Sequence, residues 1–142
     1  PGVLLDTHAL YWLVSGTKSL SDEALVAIGE NQATGTLYLS PITAWELSIA
    51  AQKPQQETLP DSSDDLQVVS GGCSSDVIQK LPINQKIAIE AAEVPIRTGR
   101  KDPGDCYLIA TARVRKIPLV TRDTVIRDLA ANLPGYLHLI VC

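Results

Sequence analysis

Asp6, Glu46, Asp105 and Asp123 are the residues whose surroundings point to chemistry. Asp6 follows the apolar run Val3 to Leu5, and Asp123 stands two residues beyond the run Leu119 to Thr121. Glu46 has Ile42 at i−4 and Ile49 at i+3, while Asp105 has Leu108 and Ile109 at i+3 and i+4. On a helix, those spacings place both acids on apolar faces. An inward carboxylate needs a partner, because an unpaired buried charge is costly. No Lys or Arg lies at helical spacing inside either segment to supply one. If the four meet, each pair about 5 Å apart repels by roughly 3 kcal/mol at an effective dielectric near 20. Several such pairs rival the roughly 5–15 kcal/mol that holds a domain together. The acids must take up protons or share a divalent cation. An all-oxygen site selects a hard ion such as Mg2+ or Mn2+. That ion can activate water and hold the oxygens of a phosphodiester, with no His, Ser or Cys nucleophile required.

The elements that would position these acids are short and alternate in type. Strands are expected at Val3 to Leu5, Leu37 to Leu39, Val77 to Leu81, Leu119 to Thr121 and Leu137 to Val141. They are largely apolar rather than alternating, as in strands covered on both faces. Between them, helices are expected over His8 to Val14, from the Ser21 cap to about Glu30, and from the Ser40-Pro41 start to about Gln52. Others are expected around Asp64 to Val69, from the Asn84 cap through Ala92, from Asp102-Pro103 to Arg115, and over Thr124 to Ala131. A basic loop, Arg97 to Lys101, precedes Asp102. The alternation implies an α/β fold with a parallel sheet between helical layers. In such sheets ligands bind outside the carboxyl ends of the strands, where Asp6 and Asp123 lie.

The 142 residues imply one domain, 1–142, able to bury a core without staples. With no Phe and no Met, aliphatic side chains must fill that core. No apolar stretch approaches the roughly 18 residues that span a membrane. The N-terminus lacks the basic start and cleavage site of a signal peptide. Three separated cysteines, Cys73, Cys106 and Cys142, form no CxxC pair. They indicate neither a disulfide framework nor zinc, and fit a reducing cytoplasm. Net charge is −4, from 16 acids and 12 bases, which argues against a whole surface that grips nucleic acid. Setting the four site acids aside leaves the signs balanced.

The segments LLDTHAL (4–10), SPITAWELSI (40–49), KDPGDCYLIATA (101–112) and PLVTRD (118–123) resemble a PIN domain, in particular the VapC toxins of bacterial toxin–antitoxin pairs. The resemblance spans nearly the whole chain, with the motifs in order and at the right spacing. It places the family's acids on Asp6, Glu46, Asp105 and Asp123 as catalytic metal ligands. Thr121 matches the Ser/Thr that commonly precedes the last acid, and Asp102 a less uniform extra acid. Position 104 is Gly where relatives often carry a larger residue. The resemblance implies a three-layer α/β/α sandwich around a mainly parallel sheet. It implies Mg2+- or Mn2+-dependent cleavage of single-stranded RNA. It further implies homodimerisation and a cognate antitoxin that lays a peptide across the site.

Each residue also has a plainer reading. Asp6, Asp102 and Asp123 could be helix N-caps, and Asp102 is read chiefly as one. Glu46 could pair with a basic neighbour. Trp12 and Trp45, at helical spacing with aliphatics, read as core, and His8 and His138 as structural. Arg100, Lys101 and Arg122 flank the acids in sequence and are candidate phosphate contacts, although most basic side chains simply face solvent. Among rival functions, an aspartate-nucleophile phosphatase typically wants a second Asp two residues after the first, and position 8 is His. No GxGxxG or P-loop is present. A PIN-like scaffold that binds RNA or protein without cutting is the non-enzymatic alternative, which the intact acid set disfavours.

Overall fold

The computed structural model describes residues 2–16, 18–52 and 78–142. The expected helix around Asp64 to Val69, and Cys73, lie outside them. The elements run β1 (Val3–Leu5), α1 (Thr7–Ser15), α2 (Asp22–Thr34), β2 (Leu37–Leu39), α3 (Pro41–Ala51), β3 (Gln79–Lys80), α4 (Gln85–Thr98), α5 (Pro103–Arg115), β4 (Leu119–Thr121), α6 (Thr124–Asn132) and β5 (Leu139–Val141). All strand pairings are parallel, in the order β3-β2-β1-β4-β5. From β1, the chain moves outward one way through β2 and β3, then returns to add β4 and β5 on the other side. The order therefore reverses between β1 and β4, the switch point at which open α/β sheets bind ligands.

Successive side chains of a strand point to opposite faces, and β1 shows this directly. Val3 and Leu5 pack with α1, α2 and Ile140. Leu4 packs on the other face with Leu119 and residues of α4, α5 and α6. The sheet is thus covered on both sides, giving the three-layer α/β/α architecture. Cys106 and Cys142 are free thiols inside it. None of the described helices is long and apolar enough to cross a membrane.

Local chemistry sets the helix starts. Ser21, Ser40, Asn84 and Asp102 each accept a backbone N–H of the first turn, and Pro41 and Pro103 occupy opening positions where no donor is lost. Several boundaries differ from expectation. α4 continues past Ala92 to Thr98 with Pro95 inside it, so Arg97 lies on a helix and the basic loop shortens. Val94, fully buried, anchors that turn and outweighs the usual bias of a pre-proline residue against helix. Only Gln79 and Lys80 of the expected third strand pair with β2, and Val77 lies outside the described residues. β5 begins at Leu139, after a turn in which Gly135 has φ 81°. Trp45 is corrected more sharply: it is 48% exposed rather than core. α3 inserts Thr43, Leu47 and Ala50 instead, and position 45 falls off that face.

Candidate active site

Asp6 ends β1 and opens α1. Its Oδ1 accepts the Ala9 N–H at 2.7 Å, and its Oδ2 accepts the Thr121 hydroxyl from the end of β4. Thr121 is fully buried, and its Oγ1 also accepts the Asp123 N–H at 3.1 Å. One side chain thereby joins two of the acids across the switch point. Asp123 caps α6, its Oδ1 accepting from Val125 and Ile126 at 2.8 and 3.1 Å. The plainer reading of both aspartates as caps is therefore true, and it coexists with their position at the carboxyl edge.

Glu46 enters from α3. Its Oε1 accepts the Thr7 hydroxyl at 2.6 Å, and its carboxylate lies against Gly104 on α5. A Cβ at position 104 would stand 2.3 Å from Oε2 and 2.4 Å from Cδ. Only glycine leaves room for the carboxylate there, which accounts for the unusual residue at this point in the motif. Asp105, one position on, is 13% exposed at its side chain and meets Arg100. Arg100 donates from Nε to Oδ2 at 2.7 Å, and its terminal nitrogen lies 2.6 Å from the same oxygen as an ion-pair contact. This partner escapes a search at helical spacing because it comes from the loop, five residues earlier. Asp102, exposed, caps α5 by accepting the Asp105 N–H at 3.0 Å.

Electrostatics joins the group. Burial lifts the Glu46 carboxyl to about 7, and nearby Asp105, Asp102 and Asp6 add to the rise against the Thr7 hydrogen bond. Burial likewise lifts Asp105 to about 6, despite Arg100, with Asp102 and Asp123 contributing. Asp6 is raised by burial, with a smaller push from Asp123. The acids are thus linked in turn through their fields, Asp123 to Asp6 and Asp105, and Glu46 to Asp6 and Asp105. They arrive from the ends of β1 and β4 and from α3 and α5.

The donors suit a hard divalent cation, being carboxylate oxygens. As the side chains stand, no three His, Cys, Asp or Glu groups among the described residues are arranged around one ion. Each carboxylate is instead turned toward a donor of its own chain. Of the candidate phosphate contacts, Lys101 is exposed. Arg122 is committed elsewhere: it donates to the Ser19 carbonyl at 2.7 Å and to the Cys142 carbonyl, and stacks 4.5 Å above the Trp12 ring. It ties the β4–α6 connection to the α1–α2 loop and the end of β5. His8 packs against Trp12.

The profile of the PIN domain family matches residues 3–132. The chain belongs to the PIN domain family. No curated protein sequence matches this PIN domain. Solved structures share its fold over nearly their full length. A toxin–antitoxin complex from Klebsiella pneumoniae superposes with a TM-score of 0.65 at 24% identity, covering 98% of this chain and 96% of that one. VapBC2 from Rickettsia felis, bound to a DNA fragment from its promoter, gives 0.70 at 14% identity, covering 99% and 98%. VapBC-5 from Mycobacterium tuberculosis gives 0.64 at 20% identity, covering 99% and 98%. Thr7, Gly104 and the Arg100 ion pair are the site features missed by sequence reasoning. Of these, only the glycine carried a signal, as a small residue where relatives carry a larger one.

Proposed function

We propose that this PIN domain is an endoribonuclease that cuts single-stranded RNA with the help of Mg2+ or Mn2+, and that it is the toxin of a toxin–antitoxin pair. The observation that carries the reading is that Asp6 and Asp123, at the ends of β1 and β4, stand at the switch point with Glu46 and Asp105 reaching toward it from α3 and α5, the last two lifted toward neutrality chiefly by burial and further by neighbouring acids. Asp6, Glu46, Asp105 and Asp123 would hold the ion. When bound, it supplies charge to activate a water and to stabilise the phosphodiester oxygens during in-line attack.

The chain's own groups do the rest. Thr121 fixes Asp6 and steadies the start of α6 through the Asp123 N–H. Thr7 aims Glu46, and Gly104 gives its carboxylate room beside α5. Asp102 supports Asp105 through the first turn of its helix. Lys101, exposed and next in sequence to Asp102, would meet a phosphate. The similarity in fold to proteins solved as toxin–antitoxin complexes supports an antitoxin partner. A homodimer and a cytoplasmic setting complete the reading.

The test uses purified chain, free of any antitoxin, with single-stranded RNA in Mg2+ or Mn2+, and Asp6→Asn as the control. Cleavage by wild type that is lost with chelator and in the variant is expected. Absence of cleavage by folded wild type in either metal overturns the nuclease reading and leaves a binding scaffold. Sequencing RNA ends after brief induced expression would then name the target.

A further inference from the structure

We infer that Arg100 holds the cation's place at Asp105, so that a divalent ion must displace its guanidinium to bind. The inference rests on the metal-site reading proposed above and deepens it. Both contacting nitrogens of Arg100 converge on one atom, Oδ2 of Asp105, at 2.7 and 2.6 Å. That is an end-on contact to a single oxygen, without the two parallel bonds of the stronger fork-to-fork pairing. The base of the side chain is fixed. The Arg100 N–H donates to the Thr98 hydroxyl at 3.0 Å, and the Arg100 carbonyl accepts the Cys106 thiol at 3.3 Å. Its tip is free to leave: the Arg100 side chain is 30% exposed against 13% for Asp105. The guanidinium can therefore swing to solvent without disturbing the core.

The exchange is favoured by charge count. Asp105 feels Asp102 and Asp123 as well as Arg100, and Glu46 feels Asp105, Asp102 and Asp6. A single positive charge on one oxygen leaves most of that negative field unbalanced. A doubly charged ion that engages several of these oxygens balances more of it, provided Asp105 is released. Once released, Arg100 would stand at the rim of the site with its charge available to a phosphate. Metal-free and metal-bound protein would then differ in whether that charge is committed to the chain or offered to a ligand.

Mn2+ binding to the intact protein, measured by calorimetry on wild type, Arg100→Gln, Arg100→Lys and Lys101→Gln, tests this. Lys101→Gln removes an equal charge from an exposed neighbour that touches no site acid. Displacement predicts that Arg100→Gln binds Mn2+ about tenfold more tightly than wild type, the order of one charge-assisted contact. Lys101→Gln should change affinity less than about twofold, as expected of a screened surface charge. Arg100→Lys should fall between wild type and Arg100→Gln. Equal or weaker binding by Arg100→Gln, or an equal gain in Lys101→Gln, overturns the displacement while leaving the metal site standing. If neither wild type nor Arg100→Gln binds Mn2+, both the displacement and the metal-site reading fall. A second readout needs no variant to stay folded. The Arg100 Nε resonance of wild type should move toward that of a solvent-exposed arginine as Mg2+ saturates the protein. A metal-bound protein whose Arg100 resonance has not moved overturns the inference.

Discussion

Replacing Glu46 by Gln in metal-free protein asks how much the crowded carboxylates cost the fold. Burial and the neighbouring acids raise this group from 4.5 to about 7. At about 1.4 kcal/mol per pH unit, that is roughly 3 kcal/mol against the ionised form. The carboxylate is only half-buried, and screening reduces the figure to about 1.5 kcal/mol. The sign follows from proton binding. Between the two pKa values, the folded state holds a proton that the unfolded state has released, so stability falls as pH rises from about 4.5 to about 7 and is then level. Gln cannot ionise, yet its carbonyl can still accept the Thr7 hydroxyl. In chelator at about pH 8, Glu46→Gln should therefore melt about 5 °C above wild type. At about pH 5.5 the gap should shrink to less than half. Thermal unfolding followed by circular dichroism at both pH values checks this. A gap that ignores pH, or a variant less stable than wild type at the higher pH, refutes the electrostatic account. Adding Mg2+ should stabilise wild type more than the variant, since only wild type keeps all four proposed ligands.

Gly104→Ala places a methyl carbon where the Glu46 carboxylate lies, but the obstructed group is the far end of a flexible side chain. The melting temperature should hold or rise, since Ala exceeds Gly in helix propensity by up to about 1 kcal/mol. Divalent-ion affinity should fall by about tenfold, the scale of losing a ligand-orienting partner; unchanged affinity would remove Gly104 from the site. Arg122→Ala deletes two bonds to carbonyls and the contact with Trp12. It should cost about 1–2 kcal/mol in chemical denaturation. The salt dependence of RNA binding should not change, whereas losing a true phosphate contact lowers the slope by about 0.7. The Tyr136 hydroxyl is buried without a hydrogen-bond partner among the described residues. Tyr136→Phe should raise stability by about 1 kcal/mol in the same denaturation assay, and a fall would reveal a partner.

What could be read in advance was what is decided locally. A capping side chain followed by proline fixes a helix start within three residues, so Ser40-Pro41 and Asp102-Pro103 announced α3 and α5. Apolar runs announced β1, β2 and β4 because both faces of this sheet are covered. Where a distant contact decides, the pattern misled. α4 passes through Pro95 because Val94 is locked in the core, and Trp45 faces outward because Thr43, Leu47 and Ala50 claim the inner face of α3. The positions of the proposed acids were legible, two by their place after strands and two by their apolar neighbours. Their partners were not. Arg100 approaches from a loop, while Thr7 reaches Glu46 across 39 positions of sequence.

The same bonds limit which variants can test the acids. Each proposed ligand already serves the fold through an identified oxygen. Asp123 gives Oδ1 to the first turn of α6, Asp105 gives Oδ2 to Arg100, and Glu46 gives Oε1 to Thr7. Glu46 and Asp123 each keep a second oxygen for a cation, whereas at Asp105 the guanidinium is proposed to give way first. Asp6 differs, since Oδ1 takes Ala9 and Oδ2 takes Thr121, so a cation there must share an oxygen or displace the threonine. Alanine at Asp6 or Asp123 would remove a helix cap along with the proposed ligand, at about 0.5–2 kcal/mol. Lost cleavage would then carry two explanations. Asparagine keeps the capping oxygen while giving up the charge. Asp6→Asn and Asp123→Asn that retain their melting temperature but lose divalent-ion binding would therefore assign the loss to ligation. Variants that keep wild-type ion affinity would reduce those two aspartates to caps.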